Sequence, residues 1–177
     1  SGDGDKKGKT SITISGNAQV NATDKANPGD RYYHGSDADH AVIGGGYGGT
    51  AEITISGNAV VNAKAEDREN RNLSYQGAGA VIGGGASSRD KNSYAKVTIQ
   101  GNATVHTASS KSPIAIGSYY GNVEVNIKDN ASIDTATGAG ASGIGGGDFF
   151  VHPEKSVVVT INGGENGKIE IGKNSAI

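Results

Sequence analysis

Two stretches hold most of the side chains able to recognise or react with something: TDKANPGDRYYHGSDADH at 23–40 and KAEDRENRNLSYQGAG at 64–79. The first carries Tyr32, Tyr33, His34, Asp37, Asp39 and His40. The second carries Glu66, Asp67, Arg68, Arg71 and Tyr75. Aromatic faces that stack, beside carboxylates that accept from hydroxyl groups, are what a sugar site needs. The same groups suit two loops that cap one end of a fold and salt-bridge each other, and both readings stay open. Asp30, Asp37 and Asp39 offer the hard oxygen ligands that calcium takes, while His34 and His40 beside them suit zinc. Their spacing matches no standard metal site, and solvated loop charge explains the same residues. A second aromatic set follows glycine-rich segments: Tyr47, Tyr94, Tyr119, Tyr120, Phe149 and Phe150. It reads as a platform for a chain of sugar rings or as a cluster covering a glycine-rich face. Cleaving a polysaccharide needs paired carboxylates, or a metal with a basic residue. Asp134 and Glu170 match across neighbouring repeats, but no acid–base partner is evident and no cleft is framed. No enzyme is expected.

What must position these residues is a repeat. SITISGNAQVNA at 11–22, EITISGNAVVNA at 52–63, KVTIQGNATVHT at 96–107 and EVNIKDNASIDT at 124–135 superpose. VVTINGGENGKIEI at 158–171 fits after an insertion of two residues. The first four are followed by AVIGGG, AVIGGG, PIAIGS and SGIGGG. Within each unit the apolar residues alternate with polar ones, the mark of half-buried strands. No helical period separates them. The reading is an all-β fold, a right-handed parallel β-helix of three short strands per coil and about four to five coils. Its expected buried columns are Ile12, Ile53, Val97, Val125 and Val159; Ala18, Ala59, Ala103 and Ala131; and Ile43, Ile82, Ile116 and Ile144. Each coil needs its neighbours to bury its apolar side.

Asn17, Asn58, Asn102 and Asn130 share the first corner. Asn tolerates the left-handed backbone of a sharp turn, and stacked Asn amides can form a ladder. AVIGGG is not a phosphate loop, because a strand follows the glycines rather than a helix. The glycines instead serve a tight turn or a close backbone approach. PIAIGSYYG at 113–121 loses the triplet, which makes Ser118 and its tyrosines the first place on that face to look for a ligand. The last repeat is expected to lack its third strand. One outward Thr per coil, flanked by Glu, Lys and Gln, needs only strand propensity to explain it.

The chain has 177 residues with 30 Gly, 7 Tyr, 2 Phe and no Trp, Met or Cys. The core must be narrow and built from Ile, Val and Ala, without disulfides. A net charge of −2 gives no bulk attraction to nucleic acid or anionic lipid, and no apolar run is long enough to span a membrane. Residues 1–9 read as a polar tail and 10–177 as one β-helix domain of a larger protein.

The pattern ITISGNA-x-V-x-A followed by GA-x-x-IGGG resembles the right-handed parallel β-helix repeats of bacterial cell-surface proteins. It is especially similar to their carbohydrate-binding β-helix domains, and the resemblance covers about residues 10–172. It implies an extracellular, secreted or cell-surface module that binds polysaccharide or a cell-surface glycan, sometimes with calcium. It carries no binding residue onto this chain. The expected function is a non-catalytic glycan-binding or adhesive module. A passive stalk or spacer is the rival, and a polysaccharide lyase or hydrolase comes third. End-to-end contact with further solenoid or other domains is a further expected interaction.

Overall fold

The computed structural model describes residues 8–24, 41–46, 49–65, 79–85, 93–109, 114–118, 121–136, 141–146, 156–171 and 175–176. Those segments hold fifteen strands and no helix. The first coil has β1 (Lys9–Ile14), β2 (Gln19–Asp24) and β3 (Ile43–Gly44). The second has β4 (Thr50–Ile55), β5 (Val60–Ala65) and β6 (Ile82–Gly83). The third has β7 (Ser93–Ile99), β8 (Thr104–Ser109) and β9 (Ile114–Ser118). The fourth has β10 (Gly121–Asp129), β11 (Ser132–Ala136) and β12 (Ala141–Gly146). The fifth has β13 (Val157–Gly163), β14 (Lys168–Ile171) and β15 (Ser175–Ala176).

Equivalent strands stack into three five-stranded sheets, β1-β4-β7-β10-β13, β14-β11-β8-β5-β2 and β15-β12-β9-β6-β3. Every pair is parallel. This is a right-handed parallel β-helix with three strands per coil. The expected register holds: Ile12 pairs with Ile53, Ile53 with Val97, Val97 with Val125 and Val125 with Val159. Ile43, Ile82, Ile116 and Ile144 align in the third sheet. The expectation of a missing last strand is wrong. Ser175 and Ala176 pair with Ala141 and Ser142; the strand was hidden because its sequence carries no Ile-Gly signature.

The hydrophobic core is built from Ile, Val and Ala alone among the described residues. Ile53, Ile55, Ile82, Ile99, Ile116 and Ile144 are all at most 1% exposed. Each such side chain contributes about 1.5–3 kcal/mol of burial. The first two sheets alternate buried and outward residues, as period two requires. The third does not: Ile114, Ala115, Ile116, Gly117 and Ser118 are all buried. In coils one and two this side also curls, with the Ala41 N–H donating to Gly45 O and the Ala80 N–H to Gly84 O, each at 3.0 Å.

The Asn residues form a ladder. Asn58 Nδ2 donates to Asn17 Oδ1 at 3.0 Å, Asn102 Nδ2 to Asn58 Oδ1 at 3.1 Å and Asn130 Nδ2 to Asn102 Oδ1 at 3.3 Å. The Asn166 backbone N–H extends it to Asn130 Oδ1 at 3.4 Å. The left-handed residue at this corner is not the Asn, however. It is the residue before it: Gly16 (φ 69°), Gly57 (72°), Gly101 (74°) and Asp129 (59°). That residue makes the turn and the Asn makes the rung. Asp129, the only non-glycine of the four, accepts the Gly101 N–H on its Oδ2 at 3.0 Å.

The glycine triplets resolve into one structural position. Gly44, Gly83, Gly117 and Gly145 align across coils with φ between 126° and 147°. A Cβ on Gly44, Gly83 or Gly117 would run into the carbonyl of the next coil's glycine. This is the one glycine that PIAIGS keeps.

Candidate functional site

Of the tyrosines, loop residues and calcium ligands nominated from sequence, Tyr94 alone lies in the described part. Tyr32, Tyr33, His34, Asp37, Asp39, His40, Arg71, Tyr75, Tyr47, Tyr119 and Tyr120 lie outside it, as does Asp30 of the calcium set. Phe149 and Phe150 lie outside it too. Tyr94 belongs to a strand rather than to a corner after the glycines. It is the second residue of β7, on the outward face of the first sheet, in register with Thr50 and Asn122.

That face is built by the alternation of β4, β7 and β10. Their outward residues are Thr50, Glu52 and Thr54, then Tyr94, Lys96 and Thr98, then Asn122, Glu124 and Asn126. Glu124 is the hub. Its Oε2 accepts the Tyr94 hydroxyl at 2.9 Å. Its Oε1 takes Lys96 Nζ at 2.9 Å and Asn126 Nδ2 at 2.8 Å. Lys96, Asn126 and Tyr94, in that order, hold the carboxyl down to about 2. Burial, then the carboxylate, pushes the Tyr94 hydroxyl above its usual value, and the same carboxylate raises Lys96. At neutral pH the hydroxyl therefore stays a donor to an ionised acceptor.

The register shows which way the side chain reaches. Tyr94 pairs with Asn122, yet its hydroxyl ends on Glu124, two residues further along the neighbouring strand. A side chain reaching that point leans diagonally towards the neighbouring strand. The result is a half-buried aromatic side chain tied down at its hydroxyl, with Thr, Asn and ion-paired residues around it. A partly exposed aromatic ring on a sheet face offers a stacking surface, and the surrounding amides and hydroxyls offer hydrogen bonds. Sequence reasoning picked out Tyr94 and missed Glu124, Lys96 and Asn126. The signal was present: aligning the repeats puts Glu52, Lys96 and Glu124 in one outward column.

The outward face of the second sheet is different. Asn62 Nδ2 donates to Asn21 Oδ1 at 2.8 Å. His106 Nδ1 stands 3.6 Å from Asp134 Oδ2, so Asp134 does have a titratable neighbour, contrary to the expectation from sequence. Glu170 pairs with Lys168 Nζ at 2.6 Å, which raises the lysine. Among the described residues no three His, Asp or Glu side chains come together as a metal set. Ser118, the suggested first point of ligand search, is wholly buried. It fills the space that Gly84 leaves in the coil before, where an added Cβ would fall 2.7 Å from its Oγ. Its side chain is packing, not a ligand contact.

No family model matches the chain, and no curated protein or solved structure matches it either.

Proposed function

We propose that this chain is a non-catalytic glycan-binding or adhesive module of an extracellular bacterial surface protein. The observation that carries the reading is Tyr94, half-buried on the outward face of the first sheet, held through its hydroxyl by Glu124 and bordered by Thr50, Thr98, Asn122 and Asn126. The repeat pattern's resemblance to carbohydrate-binding β-helix domains of bacterial surface proteins supports the same reading. A rigid sheet presents the ring at little cost in entropy, which favours weak ligands such as polysaccharide chains. The two long loops at 23–40 and 64–79 would add contacts, with calcium at Asp30, Asp37 and Asp39 as an accessory ion.

The test is affinity electrophoresis through gels holding soluble xylan, glucan or pectin. Tyr94→Ala is expected to weaken retention about tenfold, the equivalent of one stacking contact of about 1.4 kcal/mol. Tyr94→Phe keeps the ring and most of the binding. Equal retention of Tyr94→Ala and the parent would remove this site. A passive stalk is the second reading, favoured by the way Glu52, Lys96 and Glu124 spend their charges on neighbours: Lys9 Nζ on Glu52 at 3.1 Å and Lys96 on Glu124 at 2.9 Å. A glycan array that stays silent with folded protein would select it.

A further inference from the structure

The two ends of the coil stack are unlike each other and fit each other. At the C-terminal end, Ile161 continues the column of Ile55, Ile99 and Ile127, which are at most 1% exposed, yet Ile161 itself is 45% exposed. Val158, at 51% exposed, lies on the outward face instead, in register with Glu124. Val157, Val159 and Ile169 are only partly buried. At the other end Ile12, Ala18, Val20 and Ala22 are partly buried in the same way. Exposed apolar surface in contiguous form marks an interaction site.

The stack itself states what fits there. Continuing the register of the five coils sets Ile12 of a further coil against Val159, Ile14 against Ile161 and Val20 against Ile169. The first coil of this same chain supplies those residues. Direction is fixed as well. In each rung of the ladder the later Asn donates its Nδ2 to the Oδ1 of the earlier one. Among the described residues nothing accepts from Asn17 Nδ2. A copy stacked in the same sense would offer that donor to the Asn166 corner, whereas two first coils face to face would oppose donor with donor. All three sheets would also stay parallel.

We propose that copies of this chain stack head to tail, the coil of β13 and β14 against the coil of β1 and β2 of the next copy. The contact is heterologous and does not close on itself, so the product is an open series of oligomers.

The strand edges provide a clean block. Thr50 N–H donates to Gly8 O and Ser56 N–H to Ile14 O, each at 2.9 Å. By alternation the backbone groups of Lys9, Ser11 and Thr13 face away from β4. Ser11→Pro therefore blocks the head edge without removing an internal bond, and Ile161→Lys blocks the tail. Ile12→Lys serves if Ser11→Pro does not fold. Sedimentation velocity over about a hundredfold range of concentration is expected to show dimers and longer species of the parent growing with concentration. Each blocked variant should remain monomeric with a melting temperature close to the parent's. Mixed, the two should form dimers and nothing longer. A parent that stays monomeric throughout overturns the proposal, and so does an Ile161→Lys protein that still dimerises alone.

Discussion

Replacing Gly83 with alanine puts a methyl group where the next coil's backbone stands. The added carbon would lie 2.9 Å from the carbonyl carbon of Gly117 and 3.0 Å from its nitrogen, and nearer still to its oxygen. Gly83 also holds φ at 138°, a conformation that costs a residue with a side chain about 1–3 kcal/mol. The obstructed oxygen accepts the Gly84 N–H at 2.8 Å, and Gly83 O accepts the Gly45 N–H at 2.9 Å. To make room, the coils must part at this corner by about 1 Å. Losing one or two of these bonds adds about 1–3 kcal/mol. A middle total of about 4 kcal/mol lowers the melting temperature of a protein this size by about 8–16 °C. Differential scanning calorimetry measures it, with Gly46→Ala as the control. Nothing lies within 4 Å of a Cβ at Gly46, so that variant should melt within about 2 °C of the parent. If Gly83→Ala also melts that close to the parent, the argument for the first glycine fails.

Gly84→Ala alone should destabilise by crowding Ser118 Oγ, and adding Ser118→Gly should recover part of the loss. A double-mutant cycle is expected to show coupling of about 1 kcal/mol, and simple additivity would refute the packing account. Thr107 and Thr135 are 4% and 1% exposed, and their hydroxyls have no hydrogen-bond partner among the described residues. Replacing either with valine should raise the free energy of urea unfolding by about 1 kcal/mol; a fall at both would mean the hydroxyls are satisfied. Glu124 drops from 4.5 in the unfolded chain to about 2. Its ion pair therefore stabilises fully above pH 4.5, and that stability is lost as pH falls towards 2. The side chain is 34% exposed, so water screens the pair and limits the effect to about 1 kcal/mol or less. Melting curves of Glu124→Gln should fall less than the parent's between those pH values, and parallel curves would exclude the pair.

The inward residues were legible because burial forces them to repeat. Ile12, Ile53, Val97 and Val125 occupy one column, and a mistake of one residue would have turned every one outward. The Asn ladder was legible for a related reason, since stacked coils bring equal positions together. What sequence could not separate was two roles lying side by side. Gly16 makes the left-handed turn and Asn17 makes the rung, but an Asn suits both tasks. Likewise three glycines in AVIGGG hid which one has the carbonyl beneath it, although PIAIGS had already discarded the other two. Ser118 looked like a break in the pattern and is a complement to Gly84. The Glu124 cluster was hard to see because its partners lie 28 residues back on Lys96 and 30 back on Tyr94. Such pairs become neighbours only after the coil length has been fixed. The nominated loop residues, Tyr32 to His40 and Arg71 to Tyr75, obey no repeat, so the logic that orders the coils says nothing about them.

The Asn rungs also record how much chain each coil consumes: 41, 44, 28 and 36 residues from one rung to the next. The inter-coil hydrogen bonds run along the stack's axis, and a pull on the two chain ends draws on them in tension, one coil at a time. At about 3.5 Å of extension per residue, the steps come to about 140, 150, 100 and 130 Å. A single molecule under force would thus carry its own length standard, with the short step marking release of the third coil from the fourth. Yielding stepwise in this way would spread a sudden load over several small failures instead of one.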